Sequence, residues 1–474
     1  MRKDSSSNFK KSLRRDPSEK IDRTLPTMTK ANLMRSIINK NSKDESQQEE
    51  RYYPGLANSS ANLCFLNAVI QALASITDFY GYLNYLKNHF IESNDSLSSN
   101  RNSIIIFELI KLIDQLNSSR KSQTILRPTE LIQSLISSQL DFNRLFNSDQ
   151  QDAHELLIML IEAIEQEITQ FISSKESLIG LAGLVINSTR SNHSPPNVNH
   201  RLKIPRSPFR GLMANRVACA ACGFSAGIQH LPTDHLTFIL PNRSSCTIED
   251  CLKDFTNLEF LEQYTCRKCT LINAERLLNL EVKETSSKLR RHDLKKRLNQ
   301  ISCAVKEDPN QELALAVENL LQPIWSPLTT KQTMFARPPD VLAFHISRST
   351  LFASGQVLKN PCQLIFPEIL ILDNFTTNQS LCARAEAPIS SSNPAIAPPT
   401  KTLLYLYRLL SVIVHQGTHF SGHYLTFRRA PSTGTWWRVS DEDVDQCSVT
   451  EVLASNPTLL IYQRLGNEDR DVAT

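Results

Sequence analysis

Hydrophobic periodicity changes character once along this chain, near residue 209, and that change limits the architectures open to it. Before it, apolar residues recur at helical spacing: Phe65, Val69, Ala72, Leu73 and Ile76 after Cys64, then "SIIIFELIKLIDQL", "PTELIQSLIS" and "QQDAHELLIMLIEAIEQEI". Pro128 and Thr129 supply a helix start in "PTELIQSLIS". After it, "HLTFIL" alternates, and "DVLAFHIS", "YLYRLLSVIV", "HYLTFRR", "WWRVS" and "TLLIYQR" read as strands. Helices and strands segregated in this way predict an α+β fold.

The 474 residues are 41% hydrophobic and 21% charged, enough for a large globular core. Lys and Arg number 52 against 48 Asp and Glu, and a surplus of +4 gives no argument for nucleic acid as a partner. Residues 1–50, rich in Ser, Asn, Lys, Asp and Glu, read as a disordered tail, and 467–474 as a second tail. "INSTRSNHSPPNVNH" reads as a loop. Two insertions interrupt the second half. "KETSSKLRRHDLKKRLNQ" opens a charged helical stretch running to about residue 325, read as a solvated face. "ARAEAPISSSNPAIAPPT" lies in a stretch of about 373–401 expected to be a disordered linker.

The N-terminus carries no apolar signal region. "LIGLAGLVI" is too short to span a bilayer, and Arg408 interrupts "LLYLYRLLSVIV". These features predict a cytoplasmic protein with no membrane span.

Two residues stand out chemically. Cys64 falls at the expected start of a helix, where unpaired N–H groups and positive partial charge favour a thiolate below the free thiol's pKa of about 8.5. A lone cysteine there is otherwise a small buried hydrophobe. A nucleophilic thiol needs a base, and "HFSGHYLTFRR" sets His423 after a Ser-Gly turn at a strand start. "WWRVSDEDV" then offers Ser440, Asp441 and Asp443 to orient the imidazole. Separately, Cys219 and Cys222 in "CAAC" and Cys266 and Cys269 in "CRKC" form the donor set of a closed structural zinc site. Both pairs are expected in turns beside strands.

"GLANSSANLCFLNAVIQAL", "DQQDAHELL", the paired CxxC and "VHQGTHFSGHYLTFRR" resemble, in order, the successive boxes of the ubiquitin-specific proteases, over residues 51–466. The resemblance implies a papain-like right hand. Its parts are a helical thumb (about 51–200), zinc-ribbon fingers (about 209–282), a charged insertion (about 283–328) and a β-rich palm (about 329–466). It implies ubiquitin and ubiquitinated proteins as partners, a structural zinc, and no catalytic cofactor. Cys64 becomes the nucleophile and His423 the base. Ser440 takes the orienting position, where most of the family has Asp or Asn, with Asp441 as the alternative. The box "DQQDAHELL" implies a satisfied structural network around Asp152, His154 and Glu155, and His345 and His415 read as strand histidines that pack.

One departure touches the rate. The family reads G-L-x-N-x-G-x-x-C; here "GLANSSANLC" has one more residue between Asn58 and Cys64 and lacks the second glycine. Asn58 is the expected oxyanion donor, with Ser59 or Asn62 as alternatives. The expected activity is a cysteine-dependent deubiquitinase, the alternative a ubiquitin-binding scaffold that kept the fold and lost turnover. "YLYRLLSVIVHQG" and "SGHYLTFRRAPS" also resemble a family member anchored at the mitochondrial outer membrane, which makes that surface the alternative location.

Overall fold

Cys64–Leu73 forms helix α1, and every one of its residues is buried. A helix apolar on all sides belongs in the middle of a fold rather than on its surface. It shares one core with α2 (Thr77–Glu92), α3 (Ile105–Asn117), α4 (Thr129–Ile136) and α5 (Ala153–Ile186), which together make the thumb. Leu66, Ile70 and Leu73 are fully shielded, each burial stabilising by about 1.5–3 kcal/mol. The computed structural model describes residues 52–58, 62–92, 105–146, 151–186, 204–351, 357–377, 381–390, 405–418 and 421–466. The two expected tails, the Ser/Asn/Pro loop after Ile186, and Ser59 lie outside the described residues.

The palm is one large sheet. Its strands are β3 (Leu236–Ile239), β6 (Val341–Ser347), β7 (Ile369–Ile371), β8 (Leu406–Gly417), β9 (Gly422–Arg429), β10 (Trp436–Ser440), β11 (Asp443–Cys447) and β12 (Leu459–Arg464). The order is β11-β10-β9-β8-β12-β6-β3, with β7 on β8, and only the β6–β3 pair is parallel. Strand alternation divides two cores. Val341, Ala343, Leu459, Ile461 and Tyr424 face the thumb. Leu342, Phe344, Leu460, Tyr462, Leu425 and Phe427 face the other way. On β8, a bulge between Leu409 and Ser411 shifts the alternation by one residue. Tyr407 and Leu409 before it thereby share a core with Val412 and Val414 after it.

Strand β9 bolts the thumb to the palm. Thr426 Oγ1 donates to the Ala68 carbonyl of α1 at 2.8 Å. Arg428, fully buried, donates to Gln71 Oε1 at 2.6 Å and to Asn117 Oδ1. Positions 424, 426 and 428 are on one face of a strand, so three consecutive inward residues address the same helix.

The fingers sheet has the order β2-β1-β5-β4, from β1 (Gly211–Cys219), β2 (Ser225–Thr233), β4 (Glu259–Leu261) and β5 (Thr329–Arg337). After α6 (Ile248–Thr256), helix α7 (Arg267–Glu284) begins directly at the second cysteine pair and packs on α8 (Lys288–Lys306). Leu271, Ala274 and Leu278 meet Leu294, Ile301 and Ala304 there. The boundary expected near residue 283 thus falls inside a helix of one hairpin. Its apolar seam starts in the fingers sequence, and the charged face of α8 is solvated as expected.

A second expectation is corrected between Leu381 and Ser390. Read as part of a disordered linker over 373–401, this segment packs on the fingers sheet, while 391–401 lies outside the described residues. Arg216, buried in the middle of β1, donates to the Cys382 and Ala387 carbonyls at 2.8 and 2.6 Å. Thr330 Oγ1 donates to Ala385 O at 2.6 Å, and Gln332 Oε1 accepts from Ile389 N at 2.6 Å. A buried guanidinium needs acceptors; this backbone supplies them to its two terminal nitrogens, while Nε has no partner among the described residues. No helix among the described residues is long and apolar enough to cross a membrane.

Replacing Arg216 with Ala strips two half-buried carbonyls of their donors and should cost about 1–3 kcal/mol in all, since water can reach part of each unmet group. The expected outcome is a lower urea midpoint and faster proteolysis between residues 381 and 390. An unchanged midpoint would mean that Arg216 does not hold the segment.

Candidate active site

Cys64 is the first residue of α1 and is buried. The N–H groups of Phe65 and of Cys64 itself act on its sulfur, as a helix start dictates. A further N–H reaches the same sulfur from the palm: that of Tyr424, the residue after His423. The strand that carries His423 thereby meets the thumb cysteine, although the two residues are 359 positions apart in sequence.

The thiol does not ionise as easily as its helix position alone suggests. Burial pushes its pKa up, against the pull of the Tyr424 N–H, and the negative charge of Asp441 pushes it further up. The sequence expectation of a lowered pKa is therefore corrected. In this state desolvation outweighs the helix terminus.

His423 Nε2 lies 2.9 Å from Ser440 Oγ and 3.9 Å from Asp441 Oδ2. The imidazole is 39% exposed and the Asp441 side chain only 11%, so the ring opens to the cleft while the carboxylate is enclosed. Asp441 sits at the first position of the two-residue turn from β10 to β11, with φ of 51°. Aspartate tolerates this left-handed backbone better than most residues. The turn aims its carboxylate at the thumb. Asn58 Nδ2 donates to Oδ2 at 2.8 Å, and Asn67 Nδ2, from the buried face of α1, donates to Oδ1 at 2.8 Å. The Asp441 carbonyl accepts from Leu56 N at 2.8 Å. Gly55 makes this approach possible: a Cβ there would lie 2.4 Å from the Glu442 carbonyl oxygen.

Asn58 is held at both ends of its amide. Its Oδ1 accepts from Leu63 N at 2.9 Å, one residue before the helix. One amide hydrogen is given to Asp441, which leaves one for any ligand in the cleft. Asn62 also has partners.

Sequence reasoning missed Gly55, Asn67, Gln71 and Thr426. A polar residue on a helix as apolar as α1 is a signal in itself, because a buried amide must find a partner. Trp436 and Trp437 pack as expected, the latter edge-on to Tyr53 at 5.1 Å. In "DQQDAHELL", Glu155 pairs with Arg144 at 2.6 Å, but the expected satisfied network fails at one atom. His154 Nε2 is buried and has no hydrogen-bond partner among the described residues.

At the fingertip the four cysteines converge, their sulfurs all within 4.8 Å of one another. Cys219 and Cys269 are 3.8 Å apart and Cys222 and Cys266 3.5 Å. Tetrahedral zinc with bonds of about 2.3 Å sets its sulfurs about 3.8 Å apart, so the cluster fits that ion. Cys219 ends β1 and Cys222 lies in the following turn as expected. The second pair differs: Cys266 caps α7 and Cys269 lies in its first turn, rather than in a turn beside a strand.

A buried thiol at a helix start, an imidazole on the strand packed against that helix with hydrogen-bonding groups of its own, and a cysteine-built fingertip are the parts of a cysteine hydrolase on a papain-like hand. The family model described as ubiquitin carboxyl-terminal hydrolase matches residues 54–462. The chain belongs to that family and is a thiol-dependent ubiquitinyl hydrolase. It is 27% identical to ubiquitin carboxyl-terminal hydrolase 27 of Arabidopsis thaliana, over 89% of this chain and 87% of that protein. It is 24% identical to human ubiquitin carboxyl-terminal hydrolase 30, over 89% of this chain and 86% of that one. Among solved structures, the fold is similar to a chain of the SAGA Ubp8/Sgf11/Sus1/Sgf73 DUB module bound to ubiquitin aldehyde. The TM-score there is 0.55, at 18% identity over 93% of this chain and 76% of that chain.

Without ubiquitin, alkylation of Cys64 by iodoacetamide, followed by mass spectrometry of its peptide, should rise with pH through a midpoint above the ordinary thiol value. Asp441→Asn should lower that midpoint, because it removes a negative charge that opposes the thiolate. A wild-type profile already flat by about pH 7, below the free thiol's pKa, contradicts this reading.

Proposed function

We propose that this chain hydrolyses the bond between the C-terminal glycine of ubiquitin and a lysine or peptide amine, with Cys64 as nucleophile, His423 as base and Ser440 as orienter. The observation that carries the reading is the convergence on one sulfur: Tyr424 N–H on Cys64 Sγ, with the neighbouring His423 ring engaged by Ser440. A donor bond from Nε2–H to Ser440 Oγ leaves Nδ1 with its lone pair, ready to exchange a proton with the thiol. A serine brings no negative charge to the imidazolium. Asp441, at 3.9 Å, supplies that charge.

The steps follow from those roles. His423 takes the thiol proton, and the sulfur forms a bond to the glycine carbonyl carbon. The resulting oxyanion is received by the N–H groups at the start of α1, with the second amide hydrogen of Asn58 as a further donor. His423 then gives its proton to the leaving amine as the C–N bond breaks. It next takes a proton from water, whose oxygen attacks the thioester and expels the Cys64 thiolate. Ubiquitin leaves as a carboxylic acid.

Cys219, Cys222, Cys266 and Cys269 would hold a zinc that ties β1 to α7, with no open position for chemistry. The eleven cysteines form no disulfide, which fits a reducing compartment, and we take the cytoplasm as the location and the mitochondrial outer-membrane surface as its alternative.

A ubiquitin probe ending in an electrophile should label the wild-type protein and fail on Cys64→Ala. His423→Ala should lower kcat/KM on a ubiquitin–fluorophore substrate by about 100-fold or more, and Ser440→Ala by less. Ubiquitin binding without labelling or turnover in the wild type would favour the scaffold reading.

A further inference from the structure

The palm face turned away from the thumb carries a cavity of about 500 Å³. Val414 of β8 and Leu425 and Phe427 of β9 form an apolar part of its lining. Three cations line it as well. Arg348 directly follows β6, Lys359 ends the short strand Val357–Lys359, and Arg438 lies in the middle of β10. Against them the lining holds one acid, Glu451, exposed on the helix Val449–Ala454 and without an ion pair among the described residues.

These cations have hydrogen bonds but no counter-charge. Arg348 is only 6% exposed. It donates to the Pro457, Cys362 and Asn360 carbonyls at 2.8, 2.8 and 3.2 Å, and to Asn456 Oδ1. All four acceptors are neutral, and they occupy four of its five N–H groups. Lys359 Nζ donates to the His415 and Gly417 carbonyls at 2.7 and 3.1 Å and meets His415 Nδ1 at 3.2 Å. Arg438 makes no hydrogen bond or ion pair among the described residues. Burial and the like charge of Arg348 hold the Lys359 pKa below its ordinary value. Arg216 and Arg428 are also buried against neutral acceptors, but no second cation acts on either. Charges taken out of water are ordinarily paired. Three cations around one opening, against a single acid, leave positive charge for an anion to meet.

We propose that this cavity binds a small organic phosphomonoester, its phosphate held by the guanidinium groups of Arg348 and Arg438 and its apolar or aromatic body laid against Leu425 and Phe427. Guanidinium groups present paired N–H donors that match phosphate oxygens. Lys359 has given its N–H groups to β8 and contributes charge alone. Pockets of about 300–1,000 Å³ with apolar walls and a few polar groups are those that take small ligands, and this one has room for more than a phosphate. Ala454 and Glu451, both exposed, border the cavity where it meets solvent. The occupant lies on the reverse of the catalytic strand, because Leu425 and Phe427 follow His423 in β9.

The test is calorimetric titration of the full chain with phenyl phosphate, and with inorganic phosphate as a separate arm. Wild type should bind one equivalent of phenyl phosphate with a Kd of about 1 mM or below, and inorganic phosphate about 5-fold or more weakly for want of the apolar body. Arg438→Gln, which removes a side chain with no partner to lose, should weaken phenyl phosphate by about 10-fold or more. Ala454→Glu, which adds a negative charge at an exposed position of the lining, should weaken it as well. Arg276→Gln, the same loss of charge on the exposed side of α7, should leave the affinity unaltered. A wild type that shows no saturable binding, or binds phenyl phosphate no more tightly than inorganic phosphate, overturns the proposal. So does an affinity that neither Arg438→Gln nor Ala454→Glu changes.

Discussion

The carboxylate of Asp441 is the contact on which the rest of the site depends. It lies on a palm hairpin, yet its two oxygens take amide hydrogens from Asn58 and Asn67 of the thumb, and its carbonyl takes the Leu56 N–H. A charged acceptor with two neutral donors makes bonds stronger than an ordinary pair. Their effect is positional. Asn67 belongs to the helix that begins at Cys64, and Ser440 beside Asp441 faces His423. One carboxylate thus fixes the thiol's helix relative to the imidazole's partner. Gly55 lets the two chains approach closely enough for this, and Thr426 and Arg428 of β9 repeat the attachment further along α1.

The same carboxylate has an electrostatic cost at the thiol. Its charge opposes the Cys64 thiolate, and burial opposes it more strongly. A free enzyme built in this way rests with the Cys64 thiol protonated. On the proposed mechanism the thiol proton moves to His423, and the imidazolium so formed lies 3.9 Å from Asp441. A neutral serine in the orienting position is compatible with that division of labour. In the proposed roles, Ser440 sets the tautomer and Asp441 supplies the charge.

Much of this was legible in sequence, for identifiable reasons. The core of α1 could be read from apolar spacing after Cys64, and β8, β9, β10 and β12 from alternation, because local pattern and tertiary burial agree there. The cysteine pairs were legible because metal ligation demands short, fixed spacings. What could not be read depends on contacts between distant segments. Nothing local in "CARAEAPIS" foretells that the Cys382 and Ala387 carbonyls will serve Arg216. The "CRKC" pair gives no sign that its helix will form a hairpin with α8. Asp441 and Ser440 were both candidates at one position, and only the turn's left-handed backbone shows that they face different partners. The pKa of Cys64 was misjudged because a helix terminus is visible in sequence and desolvation is not.

The account's central claim is that Asp441 holds the cysteine and histidine in register, and single-turnover kinetics on Asp441→Ala test it most directly. The measurement is release of a fluorophore from the C-terminus of ubiquitin with enzyme in excess, alongside the Kd for ubiquitin itself. The account expects binding within about 3-fold of wild type, under about 0.7 kcal/mol, and a chemical step slowed by about 100-fold or more. A chemical step that keeps its wild-type rate while ubiquitin still binds would contradict it.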